Sequence, residues 1–299
     1  WVAEGHGGDQ FAILAACARE TSTIRLGTAI SSVYVRTVPT IAMAAATVDQ
    51  LSGGRFILGL GSSHKVQVEP EHGVTYDKPL TRVRESVAAI RALLAEGTAT
   101  YQGELVRMQS FDLWFEPLRN TLPIYLSAVF PKMTALCGEI ADGVILTRST
   151  LATSDAVRPI IADAAQQAGR VSAAIEITSL LPCAVAAQRE EAMERMRPGL
   201  ALYAGFFPRY NKLLASHGFE DQAAAIRSAW DQGDRAGAIA AVSDDAIDAT
   251  SIAGPPEHCR ERLQAYRDSG IDLPIISPFA RGPEAKRRFM EAIEACAPA

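Results

Sequence analysis

The sequence predicts an α/β fold in which short parallel strands are covered by amphipathic helices. Three observations predict it. Apolar runs too short for a helix recur along the chain, segments with apolar residues at helical spacing lie between them, and glycines and prolines mark the boundaries. Open doubly wound sheets and closed barrels both satisfy this pattern. A tally of about seven strands falls one short of a closed (β/α)8 barrel.

The elements follow in order. Trp1-Val2-Ala3 reads as the tail of a strand. Phe11, Leu14, Ala15 and Ala18 define a first helix, and Ile24 to Ile30 the next strand. Ile41, Ala44, Ala45 and Val48 share a helical face that Gly53-Gly54 terminates. Phe56-Ile57-Leu58-Gly59-Leu60 is an apolar strand. Val83, Val87, Ile90 and Leu94 form the face of a longer helix ending at Gly97, and Tyr101-Gln102-Gly103-Glu104 reads as a hairpin turn. Strands are expected at Pro123 to Ala128, Gly143 to Thr147 and Ile175 to Val185. The helices between them run from Pro131 to Glu139 and from Ala152 to Ala168. Residues 190–252 lack strand signals and read as helices inserted before the last strand. Pro255-Pro256 opens a helix with Cys259, Leu263 and Tyr266 inward, Gly270 closes it, and Leu273 to Ile276 is the last strand.

No repeat, low-complexity tract or linker divides residues 1–299, so a single α/β domain is expected. One barrel of ~250 residues with insertions fits this length. With 48% hydrophobic and 21% charged residues the composition is that of a globular protein. A net charge of -5 without a Lys/Arg cluster argues against a nucleic-acid partner. No apolar run approaches the ~20 residues that a membrane-spanning helix needs. The five cysteines are scattered without CxxC spacing and read as reduced thiols of a cytoplasmic protein, mostly small core residues. The chain opens on Trp1 with no initiator Met, which reads as the loss of an upstream segment.

Several chemistries lack their residues. The histidines at 6, 64, 72, 217 and 258 make no His-x-His pair, so no metal centre is expected. There is no G-x-S-x-G nucleophile elbow. Gly59-Leu60-Gly61 has no third glycine three residues on and is a poor dinucleotide fingerprint. It reads instead as a strand end that something approaches closely.

Longer stretches carry a resemblance. Ile24 to Ile30, Tyr34-Val35-Arg36, Pro39 and above all Ala44 to Gly61 resemble the luciferase-like monooxygenase family, and within it the branch using coenzyme F420. Pro123 to Ala128 with Pro131-Lys132-Met133, Ala141 to Val144, and Gly254 to Glu257 match more weakly. The resemblance implies a TIM (β/α)8-type barrel. Trp1-Val2-Ala3-Glu4 stands where the family's second strand ends, so the barrel would lack its first strand and helix.

The resemblance also implies a site at the C-terminal mouth of the barrel. A non-prolyl cis peptide after the third strand would fall at Ala29-Ile30 and back the cofactor ring, with Gly61 and Ser62 at the next strand end. Glu4 matches an acidic residue beside the ring, and His6 lies close by in sequence. A carboxylate or imidazole there suits hydrogen bonding to the ring or proton relay. His64 aligns with a Glu that acts near substrate in part of the F420 branch. The phosphate would rest on the turn Ser127 to Lys132 at a helix N-terminus, through Ala128, Val129 and Phe130. Glycines often occupy the positions of Val129 and Phe130. Thr147 matches a further phosphate-contacting position.

The function expected is hydride transfer between F420 and a small organic substrate by a homodimer. An FMN-dependent monooxygenase and a non-catalytic or truncated cofactor-binding relative are the alternatives. Tyr203, Phe206, Phe207 and Tyr210 in the insertion read as core or dimer interface as readily as substrate lining.

Overall fold

The Asp9 carboxylate accepts a hydrogen bond from the Ala12 amide at 2.9 Å and so starts helix α1 (Gln10–Glu20), which buries Phe11, Leu14 and Ala18. The strand expected next is interrupted. Only β1 (Leu26–Gly27) and β2 (Ser31–Ser32) have ladder pairing, and an isolated bridge joins Val2 to Thr28. Helix α2 (Val38–Leu51) has Pro39 in its first turn, where a missing N–H costs nothing. Strand β3 (Phe56–Gly61) is buried at all 6 residues, which explains its unbroken apolar sequence. Helices α3 (Lys65–His72) and α4 (Pro79–Glu96) follow, then the hairpin β4 (Thr98–Gln102) and β5 (Arg107–Asp112). Strand β6 (Ile124–Ser127), helix α5 (Pro131–Ile140) and strand β7 (Gly143–Thr147) complete this part of the chain.

Helix α6 (Thr153–Gln167) and a short 3-10 turn lead to strand β8 (Glu176–Val185). Five helices come next: α7 (Arg189–Phe206), α8 (Pro208–Ser216), α9 (Glu220–Asp231), α10 (Arg235–Ala240) and α11 (Asp244–Thr250). They occupy the segment expected to be a helical insertion. The chain continues with β9 (Ile252–Gly254), α12 (Pro256–Asp268), β10 (Leu273–Pro278) and α13 (Ala285–Cys296). This computed structural model describes residues 1–278, 280 and 282–297.

Two compact units are distinguished, one of residues 1–145 with 159–176, the other of residues 146–158 with 177–299. In the first, β3 pairs in parallel with β1 (Leu26↔Phe56), β2 (Ser32↔Gly61) and β6 (Leu58↔Ile124), and β6 pairs with β7 (Leu126↔Val144). Ile41, Phe56, Leu58, Ile90, Leu93, Leu126 and Leu136 are among its most deeply buried side chains. In the second, β8 runs between β9 (Cys183↔Ile252) and β10 (Leu273↔Thr178), again in parallel. Tyr266 of α12 is wholly buried there, its hydroxyl donating to the Ser149 carbonyl at 2.7 Å. The five inserted helices share an apolar core with β8 and β9, in which Met196, Leu200, Leu214, Ile226 and Ile247 are buried with Ala184 and Ala253. Among the described residues, no helix is long and apolar enough to cross a membrane.

Candidate functional site

The site is built where β1 stops. After Gly27 the ladder to β3 passes through a side chain: the Thr28 hydroxyl donates to the Gly59 carbonyl at 2.8 Å and accepts from the Gly59 amide at 2.9 Å. Thr28 thus keeps Gly59 satisfied while its own backbone leaves the strand path. The room for this comes from the glycine. A Cβ at position 59 would overlap the Thr28 carbonyl oxygen. The peptide bond Ala29-Ile30 is cis, at the position that the resemblance designates. The chain then rejoins β3 as β2, with Ser31 and Ser32 both buried.

Glu4 fixes this return. One carboxylate oxygen accepts from the Ser32 amide at 2.9 Å and from the Ser31 hydroxyl at 3.3 Å, and the other is bound by the Arg36 guanidinium. Arg36 also binds Asp9 and lies 5.2 Å from the centre of the Phe11 ring. Its hydrogen bond to Asp9 holds that carboxyl below the usual carboxylate range. Glu4 is therefore an acceptor with its lone pairs engaged, suited to holding backbone and poorly placed to shuttle a proton. His6 is not brought into this group. Its ring is exposed and meets Glu71 of α3 at 2.9 Å.

At the end of β3, Gly61 lies flush against its neighbours. A Cβ there would meet the Ser127 hydroxyl and come within 3.0 Å of Ile30. Ser62 is buried and accepts a hydrogen bond from Tyr76 at 3.0 Å. Tyr76 stacks on Tyr34 at 4.6 Å, and Tyr34 donates to the Asp77 carbonyl. Ser63 has φ 54, a left-handed conformation that costs a non-glycine residue about 1 kcal/mol and persists where surroundings enforce it. It turns the chain so that half-buried His64 becomes the N-cap of α3, with its carbonyl accepting from Gln67 and Val68 at 2.9 Å each.

The turn after β6 ends this row. Ala128 is buried and its amide is used by Ile145, while Val129 and Phe130 are half-buried and lead into α5. No side chain caps α5, Pro131 opens it, and no acidic residue stands in its first turn. Such an end favours an anion, because its orphan amides carry the positive end of the helix dipole. The uncapped end of α5 therefore suits a phosphate group.

Thr147 belongs to the second unit. There its side chain is hydrogen-bonded to Tyr210, whose hydroxyl burial pushes up to about 12. Arg148, also buried, stacks on Tyr203 at 4.3 Å. Tyr203, Phe206, Phe207 and Tyr210 pack on one another with ring centres 4.8 to 5.7 Å apart, as a core cluster does. Ser31, Ser32, Arg36 and Tyr76 were not singled out from the sequence as site residues. Arg36 and Tyr34 lie inside the resembling stretch, but Tyr76 sits in a loop with no spacing that points back to Ser62. Among the described residues no cluster of His, Cys, Asp and Glu could hold a metal ion.

Known proteins share the fold and much of the sequence. The chain is 30% identical to a 5,10-methylenetetrahydromethanopterin reductase of Archaeoglobus fulgidus, over 96% of this chain and 86% of that protein. The coenzyme F420-dependent tetrahydromethanopterin reductase of Methanopyrus kandleri superposes with a TM-score of 0.84 and 26% identity, covering 98% of this chain and 88% of that one. An F420-dependent secondary alcohol dehydrogenase, solved with an F420-acetone adduct, gives a TM-score of 0.74 at 19% identity, covering 98% and 85%. These matches identify the fold as TIM-barrel-type α/β. The luciferase-like monooxygenase family model matches residues 1–273, a span that contains every residue of the strand-end cluster, and the chain belongs to that family.

Proposed function

We propose that this chain is an oxidoreductase that transfers a hydride between coenzyme F420 and a small organic substrate. The observation that carries the reading is the near-full-length similarity to F420-dependent reductases. The strand-end geometry supports it. F420 supplies a ring carbon that gives or accepts hydride. The residues of this chain place that ring and exclude water.

On this reading Ala29, Ile30, Gly61 and Ser62 form the surface behind the ring, and Glu4 holds that surface in register through Ser31 and Ser32. The turn Ala128-Val129-Phe130 presents the uncapped N-terminus of α5 to the phosphate. His64, beside the left-handed Ser63, is the group proposed to move a proton at the substrate. His6 is assigned to tying the Gly5–Gly8 loop to α3 through Glu71. A homodimer in the cytoplasm, with no nucleic-acid partner, completes the proposal on the family resemblance alone.

The test is an anaerobic assay of reduced F420 oxidation against a panel of carbonyl and imine acceptors. Enzyme-dependent oxidation with at least one acceptor is expected. Oxygen consumption with reduced FMN, and none of the F420 reactions, would replace this reading with a monooxygenase. Silence in both assays would leave a non-catalytic relative.

A further inference from the structure

Arg148 is a cation buried in the second unit. It directly follows β7 with φ 49, a left-handed conformation, and its amide donates to the Leu180 carbonyl of β8 at 3.0 Å. Its side chain turns inward and the residue is only 6% exposed. The guanidinium lies over the Tyr203 ring of α7, 4.3 Å from the ring centre. Among the described residues its N–H groups make one hydrogen bond, from Nη2 to the Gly199 carbonyl at 3.5 Å, which is long for such a bond. A guanidinium has five N–H donors and stays protonated in a protein. Most of those donors and the full charge are therefore left without a protein acceptor.

Beside Arg148 lies a cavity of ≈ 10 Å³, contained within the second unit. Arg148, Tyr203, Tyr210 and His217 line it, with Leu200 and Leu213 on its apolar side, and no described residue that lines it is acidic. The Nε2 atom of His217 is buried without a hydrogen-bond partner, and burial lowers the pKa of that ring. The imidazole is thus neutral and able to donate from Nε2.

We propose that this cavity binds one halide-sized anion, such as chloride, between the Arg148 guanidinium and the His217 Nε2–H. Two buried donors, one of them cationic, face the same small space. About one water-sized sphere fills that space, so a phosphate or a carboxylate is too large for it. A water molecule would satisfy the donors and leave the charge; a monovalent anion cancels it, which a buried cation without a carboxylate requires. The bound ion fastens α7 and the end of α8 to the residue that leaves β7. This site does not depend on the proposed hydride transfer.

The test follows the thermal midpoint of the full chain in sodium chloride and in sodium gluconate at constant ionic strength. A saturable rise with chloride, roughly 3–6 °C at 100 times its dissociation constant, and none with gluconate are expected. Crystals grown in sodium bromide should show an anomalous peak in the cavity, within hydrogen-bonding reach of Arg148. Arg148→Met should lose the response to chloride, and Arg267→Met, at an exposed arginine of the same unit, should keep it. An equal rise in both salts, density in the cavity without anomalous signal, bromide peaks only elsewhere, or a chloride response retained in Arg148→Met would overturn the site. The bromide map of the unmutated chain decides the matter even if Arg148→Met fails to fold.

Discussion

Glu4 does its work through geometry. Its carboxylate collects the Ser32 amide, the Ser31 hydroxyl and the Arg36 guanidinium, so the segment after the Ala29-Ile30 bond is tied to the end of the preceding strand. Hydrogen bonds to a charged group contribute about 1.5–3 kcal/mol each, and an unpaired partner left behind costs a similar amount. Glu4→Ala is therefore expected to weaken F420 binding by roughly 10- to 100-fold, with Arg36 freed from one of its anchors. A fluorescence titration of the variant checks this, and unchanged affinity would remove Glu4 from the site. The Tyr76 hydroxyl has a smaller part, holding Ser62 at 3.0 Å. Tyr76→Phe should leave the thermal midpoint nearly unchanged and lower cofactor affinity by about 3- to 10-fold, since one neutral hydrogen bond is worth about 1 kcal/mol.

At the scale of elements, two devices hold the first unit in shape. The first is the pairing of Thr28 with Gly59. Gly59→Ala would drive a methyl group into the Thr28 carbonyl, where backbone cannot yield cheaply, and a loss of about 3 kcal/mol is expected in urea unfolding. The second is Glu85 of α4, which accepts the amides of Glu104, Leu105 and Val106 at 2.7 to 2.8 Å and so closes the β4–β5 turn. Burial pushes this carboxyl up, and the three amides more than offset it, leaving it below the usual carboxylate range. A carboxyl depressed in the folded state contributes stability that is present above its unfolded value of about 4.3 and is lost as pH falls through the folded value. Urea midpoints measured between pH 6 and pH 3 should fall less steeply in Glu85→Gln than in the unmutated chain. Equal slopes would show that Glu85 does not carry this dependence. The hairpin was legible from Tyr101 to Glu104, but its clasp was not, because a glutamate 19 residues upstream gives no local signal. The interrupted strand at Leu26 was hidden for a related reason. Ile24 to Ile30 alternates like any apolar strand, and only the contact with Gly59 shows where the ladder breaks. Strand β9 and helices α3 and α13 also escaped: β9 is 3 residues long, α3 is polar with Pro70 inside, and α13 lies past the last recognisable strand.

For the whole molecule, periodicity alone left an open sheet and a barrel equally acceptable. The choice came from the resemblance of Ile24 to Gly61 to one family, and full-length similarity and superposition agree with it. That resemblance also located the row of strand ends at Glu4, Ile30, Gly61, Ser62 and Ala128, because in a parallel sheet all strand C-termini share one edge. It could not foresee that Glu4 would be engaged by Arg36, or that His6 would face Glu71, since both depend on side-chain packing across loops.

On the proposed reading, F420 is held at the strand ends of the first unit. The most direct test is a fluorescence-quenching titration of the purified protein with F420 and, separately, with FMN. Saturable F420 binding, weaker or absent FMN binding, and a loss of F420 affinity in Glu4→Ala with the fold retained by circular dichroism are expected. Preferential binding of FMN, or F420 binding indifferent to Glu4, would contradict it.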